Sequence, residues 1–178
     1  QKQYLSTLQE RLQKHFHNFG RYNLSVAQSS WETWLDGYLP GAPYRKTNIY
    51  DEGSLIALML DVKLLQSTNN TKSLRDLCRL LYERFGKTGK GYTEQDIPAL
   101  LKELTGTDES SFFNQFVYGS NDFAEGLLPA FTYLGLALTF QPASSVAENL
   151  YGCKIIEQGP QTRVGLVAPY SPAWKAGL

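Results

Sequence analysis

The segment from Gly53 to Gln66 sets the first constraint on how this chain can fold. Leu55, Ile56, Leu58, Met59, Leu60, Val62, Leu64 and Leu65 leave it almost no polar face. A helix that is apolar nearly all round has to be enclosed, so it belongs at the centre with other elements built around it. Asn69 and Asn70 end it. The flanking sequence supplies amphipathic helices to do the enclosing. Between Tyr4 and Phe19, Leu5, Leu8, Leu12, Phe16 and Phe19 recur at three- and four-residue spacing, a helix closed by Gly20. Ser25 or Ser29/Ser30 can cap a second helix through Trp31, Trp34 and Leu35, which stops before Pro40-Gly41; Pro40 to Asn48 reads as a loop.

Downstream, Ser73 caps a helix whose stripe is Leu74, Leu77, Cys78, Leu81 and Phe85, and this places the Cys78 thiol in the core. Thr93 with Asp96 resembles a capping box ahead of Ile97, Leu100, Leu101 and Leu104, although Pro98 then falls just past the first turn. Asp108 can cap a helix bearing Phe112, Phe113, Phe116 and Val117. A short helix near Glu125 to Tyr133 then leads into a strand from Leu136 to Gln141. The composition changes after Pro142. Ala143 to Asn149 is a small polar linker, and Tyr151 to Ile156 and Arg163 to Val167 read as strands joined at Gly159-Pro160. Ser171-Pro172 opens a last helix, with Ser at the N-cap and Pro at the first helical position. The fold class is therefore mainly α: residues 1–141 form a helical body, 142–149 a linker, and 150–178 the start of a β-rich segment. A chain that begins without Met and ends just after a helix-start signal is expected to be trimmed at both ends, and its termini assign no compartment.

Composition excludes several kinds of function. Lys+Arg and Asp+Glu both number 17, so the net charge is zero and gives no electrostatic reason for a nucleic-acid or acidic-membrane partner. No apolar run reaches the length of a membrane span. Cys78 and Cys153 are far apart and fit neither a disulfide framework nor a metal spacing. His15 and His17 are the only histidines; two residues apart on a helix they point to different faces, and they read as surface residues. No Ser/His/Asp or Cys/His constellation is supported. Gly86 to Gly91, with Lys87 and Lys90, follows a helix and reads as a turn, not an anion site. Asp61 and Glu32 are read as hydrogen-bonded structural carboxylates. Tyr50, in Tyr50-Asp51-Glu52-Gly53, stays open: it is either a packing tyrosine beside the buried helix or a phenol donor facing a cleft.

A series of strings in order across Arg21 to Leu138 bears on that choice. They are Ser25-Val26-Ala27-Gln28-Ser29-Ser30-Trp31-Glu32-Thr33-Trp34, Tyr50-x-x-Gly53-x-Leu55-x-Ala57-Leu58-x-Leu60-Asp61, Ser73-Leu74-Arg75-Asp76, Arg84 to Gly91, Thr93 to Ile97, and Phe112-Phe113 ahead of Val117-Tyr118-Gly119. Together they resemble the C-terminal helical part of the glycyl aminopeptidase family, zinc metallopeptidases of the thermolysin-like type that carry a PDZ domain. The resemblance implies a parent enzyme that hydrolyses N-terminal residues from peptide or protein substrates, with this chain as one wall of the cleft. Tyr50 takes the place of the catalytic Tyr that stabilises the tetrahedral intermediate. Relatives often have a second aromatic where Ile49 stands and a Lys where Glu52 stands, so the local charge here differs while the phenol is kept.

The family's zinc site comes from H-E-x-x-H and a downstream Glu, which this sequence lacks. The implied ligands lie upstream, the implied cofactor is zinc in the intact enzyme only, and the chain alone is expected to bind none and to be inactive. Residues 150–178 resemble the opening of a PDZ domain. Leu150-Tyr151-Gly152-Cys153 stand at the loop that receives a C-terminal peptide's carboxylate, and Val167 to Leu178 at the following strand-to-helix junction. The rival reading is a non-enzymatic helical interaction scaffold with a PDZ-type peptide-binding tail.

Overall fold

The computed structural model describes residues 2–36 and 44–178. The chain divides into two compact units, Gln1–Leu138 and Thr139–Leu178. The first is helical. Its elements are α1 (Lys2–His17), α2 (Val26–Asp36), α3 (Ile49–Ser67), α4 (Leu74–Arg84), α5 (Asp96–Thr105), α6 (Ser110–Phe116) and α7 (Ala124–Tyr133). The expected loop from Pro40 lies outside the described residues as far as Pro43.

Helix α3 is the centre of this unit, as its uniformly apolar surface requires. It packs against α1, α2, α4, α5 and α7. Leu55, Ile56, Met59, Leu60, Val62 and Leu64 are all buried, joined in the core by Leu8 and Leu12 of α1, Leu77 of α4, Leu100 and Leu101 of α5, and Leu127 of α7. Each fully buried leucine contributes roughly 1.5–3 kcal/mol over its exposed state, so enclosing α3 is the main driving force for this unit. Gly126 lets α7 come close to α3: a Cβ there would stand 2.5 Å from the Met59 sulfur. Asn69 and Asn70 both take positive φ at the end of α3, a conformation Asn tolerates better than most residues.

The helix starts follow local chemistry. Ser25 Oγ accepts the Gln28 N–H at 3.1 Å while Gln28 Oε1 accepts the Ser25 N–H at 3.0 Å, a reciprocal cap that starts α2. Asp76 Oδ2 accepts the Ser73 N–H at 3.0 Å at the start of α4. Helix α5 starts at Asp96, not just after Thr93, so Pro98 lies in its first turn, where a missing N–H costs no helical hydrogen bond. The Thr93 N–H donates to Asp96 Oδ2 at 2.6 Å, and this backbone bond leads the effects that hold the Asp96 carboxyl below its usual value. Asp61, on α3, accepts the Leu74 N–H at 2.6 Å and so caps α4 from a neighbouring helix. Asp61→Ala is expected to lower stability by about 1 kcal/mol, as for other lost caps, read as a lower urea midpoint; an unchanged midpoint would contradict the cap.

Three expectations are corrected here. Cys78 is exposed, because α4 turns Leu77 into the core and the residue one step on points about 100° away. Leu136 to Gln141 forms no strand: it has no ladder partner among the described residues, and Leu136 and Leu138 instead pack directly on the helical core. Ala147–Tyr151, across the end of the expected linker and the start of the expected first strand, closes into a turn of π-helix, and the strand begins only at Cys153.

The second unit is a small antiparallel hairpin, β1 (Cys153–Gln158) with β2 (Gln161–Val167), turned at Gly159-Pro160 where Gly159 takes φ +59°. A register shift falls between Lys154 and Ile155. Helix α8 (Pro172–Lys175) follows, with Ser171 Oγ accepting the Trp174 N–H at 3.2 Å. Among the described residues no helix is long and apolar enough to cross a membrane.

Candidate functional site

The N-terminus of α3 carries the candidate catalytic side chain. Asn48 is its N-cap, and Asn48 Oδ1 accepts the N–H groups of Tyr50 at 3.0 Å and Asp51 at 3.2 Å. This fixes the backbone of Tyr50 in the first turn. The Tyr50 side chain is 63% exposed, whereas Glu52, two residues on, is 1% exposed. The same turn therefore presents a phenol outward and drives a carboxylate inward.

What meets that carboxylate is His15. Its Nδ1 lies 2.8 Å from both Glu52 oxygens, and both side chains are essentially inaccessible. Nδ1 and the carboxyl group share this hydrogen bond, and the tautomer decides which of them donates. The imidazole stacks on Phe123 at 4.7 Å and meets the edge of Phe16 at 4.7 Å. Its Nε2 has no hydrogen-bond partner among the described residues, so Glu52 alone orients the ring through polar contact. Arg21, also buried, donates from Nη1 to the His15 and Phe16 carbonyls at 3.3 and 3.0 Å, closing the C-terminus of α1. His15 is thus not the surface histidine expected from the sequence; His17 is exposed. The sequence does carry a signal for this: Leu8, Leu12 and His15 lie on one face of α1, with His15 three residues past Leu12.

One helical turn before His15, Arg11 adds two ties to the same turn of α3. Its Nη1 lies 3.5 Å from Asp51 Oδ1 and donates to Ser54 Oγ at 3.1 Å. Glu52 and Asp51 are both placed favourably, since the exposed N–H groups of a helix start carry partial positive charge. Of the other carboxylates singled out, Asp61 caps α4 as described, and Glu32 pairs with Arg45.

The described residues do not supply a zinc site. No group of three or more His, Cys, Asp or Glu side chains among them could hold a metal ion. The donor chemistry explains this, since one histidine is committed to Glu52 inside the core and the other lies on a different face of α1.

Residues 1–56 match the M61 glycyl aminopeptidase family model. The match covers less than half of the chain. It ends inside α3, and it includes Tyr50, Glu52 and His15 together. The chain matches no curated protein and no solved structure. The N-terminal part of this chain is thus similar to a peptidase family, and peptide substrates are what that family's name describes.

In the C-terminal unit, Leu150 and Tyr151 are 61% and 55% exposed and Cys153 is buried. Gly152 takes φ +70°, and a Cβ there would stand 2.4 Å from that of Ser171. Its carbonyl accepts the Ala168 N–H at 2.7 Å, and its own N–H donates to the Glu148 carbonyl at 3.1 Å.

Proposed function

We propose that this chain is the helical C-terminal part of a zinc-dependent metalloaminopeptidase of the thermolysin-like type, which removes N-terminal residues from peptides. Its helical unit forms one wall of the active-site cleft, and Tyr50 donates a hydrogen bond to the oxyanion that develops on the scissile carbonyl. The observation that carries this reading is the conjunction at the start of α3: a segment similar to M61 peptidases includes the turn that presents an exposed phenol on a rigid, capped helix end. A phenol O–H is a donor at neutral pH, and a donor held in place before charge develops needs no reorganisation in the transition state. Trp31, Trp34 and Leu35 of α2, within the same matched residues, are 73%, 91% and 80% exposed, an apolar face suited to a wall that the rest of a catalytic domain covers.

The metal ligands belong to the part of the enzyme upstream of this chain, and bound zinc supplies Lewis-acid activation of water and carbonyl. The chain's own contribution is to hold Tyr50 and to shape the cleft. Residues 150–178 are the start of a PDZ-like domain, with Leu150, Tyr151, Gly152 and Cys153 as its carboxylate loop. For Gly152 to serve there, its N–H must exchange the Glu148 carbonyl for the ligand's carboxylate.

The complete protein is expected to release N-terminal residues from short peptides, to lose this activity with a zinc chelator and to regain it with added zinc. The isolated chain is expected to bind no stoichiometric zinc and to cleave no aminoacyl substrate. One tightly bound zinc per isolated chain, or a complete protein with no aminopeptidase turnover, would contradict the proposal.

A further inference from the structure

We infer that His15 and Glu52 act as a positioning pair for Tyr50, fixing the rotation and height of the first turn of α3 against α1. The inference rests on the catalytic reading of Tyr50 and adds to it a device in this chain that holds the phenol in register.

Tyr50 sits between fixed points. On one side Asn48 caps its N–H and that of Asp51. On the other, the residues that follow are tied across to α1: Asp51 and Ser54 by Arg11, and Glu52 by His15. Arg11 and His15 are four residues apart, so both project from one face of α1 and grip one turn of α3. The His15–Glu52 contact is the buried one of the three. Apolar packing alone would hold α1 and α3 together, but it tolerates sliding and rotation. A hydrogen bond between one ring nitrogen and a carboxyl group is directional, and it is strengthened by its dry surroundings. The ring in turn is held between Phe123, which stacks on it, and Phe16, which meets it edge-on. Such rigidity matters for a donor aimed at a developing charge, where a displacement of about 1 Å can cost on the order of a hundredfold in rate.

The test is a cycle in the complete protein with His15→Phe/Glu52→Leu, which fills the same space without polar groups, made with Tyr50 and again with Tyr50→Phe. The double variant is expected to melt close to the parent yet turn over roughly tenfold more slowly, a fraction of the full misplacement penalty, with KM little changed. In the Tyr50→Phe background the same double variant is expected to add no further loss, because residues acting through one group are not additive. An equal loss in both backgrounds, or parental turnover by the double variant, overturns the positioning role and leaves the reading of Tyr50 standing. Parental turnover by Tyr50→Phe alone overturns that reading and the positioning role with it. If the double variant does not fold, Glu52→Gln provides the same comparison, since it keeps a hydrogen-bonding group opposite Nδ1 but removes the second equivalent oxygen. A kcat loss confined to the Tyr50 background supports the pair's role, and a loss equal in both backgrounds, or none in either, overturns it.

Discussion

Glu52→Ala is expected to destabilise the chain by about 2–5 kcal/mol, the combined cost of an unpaired buried polar group and of the void left beside it. The substitution takes from His15 Nδ1 its hydrogen-bond partner among the described residues and leaves that ring nitrogen unpaired in a dry site between Phe16 and Phe123. It also leaves a void at a position that is 1% exposed, and it removes a negative charge from the start of α3. Small domains are typically stable by about 5–15 kcal/mol, so the loss is a large share of the total. In urea unfolding the midpoint falls while the slope is kept, because the surface exposed on unfolding hardly changes. The paired apolar substitution His15→Phe/Glu52→Leu is expected to recover most of that loss, since Phe can keep the stack on Phe123 and no polar group is stranded. A Glu52→Ala midpoint equal to the parent's would show that the carboxylate is not enclosed as described.

Tyr50→Phe in the complete protein is expected to lower turnover by about a hundred- to a thousandfold, the range seen when one oxyanion donor is removed elsewhere. Phenylalanine keeps the ring and loses only the hydroxyl, and at 63% exposure the side chain contributes little to the core. Fold and zinc content are therefore expected to stay at parental values. KM is expected to change little, because the lost bond strengthens only as charge builds on the carbonyl oxygen. A variant whose kcat stays within a few-fold of the parent's would remove Tyr50 from the reaction.

The helical architecture is largely legible in the sequence, because its strongest signals are local. The apolar surface of α3, the Ser73 cap and the Ser171-Pro172 helix start each depend on a few neighbouring residues, and each forms as expected. The misreadings arise where a long-range partner decides. His15 reads as a surface residue until α3 brings Glu52 against it, and Glu52 reads as a departure in charge until His15 faces it. Either one alone is a polar residue on an apolar face; together they form a satisfied pair, and one sequence does not announce the pairing. Leu136 and Leu138 have strand-like spacing but pack on helices, and with no partner strand among the described residues the segment to Gln141 makes no ladder. Cys78 was a matter of helical phase, since a stripe drawn one residue too wide puts it inside. The place of Tyr50 at a helix start is likewise legible from Tyr50-Asp51-Glu52-Gly53, while its exposure and the ties around it required the fold.

In the proposed mechanism the Tyr50 hydroxyl bonds to the oxyanion of the transition state. This bond is tested most directly by the inhibition constant of a phosphinate peptide, which mimics the tetrahedral intermediate, measured for the complete protein with Tyr50 and with Tyr50→Phe. The phosphinate is expected to bind about a hundred- to a thousandfold more weakly to the variant, in step with the fall in kcat/KM, while a product amino acid binds almost equally to both. Equal phosphinate affinity in the two proteins would contradict this mechanism.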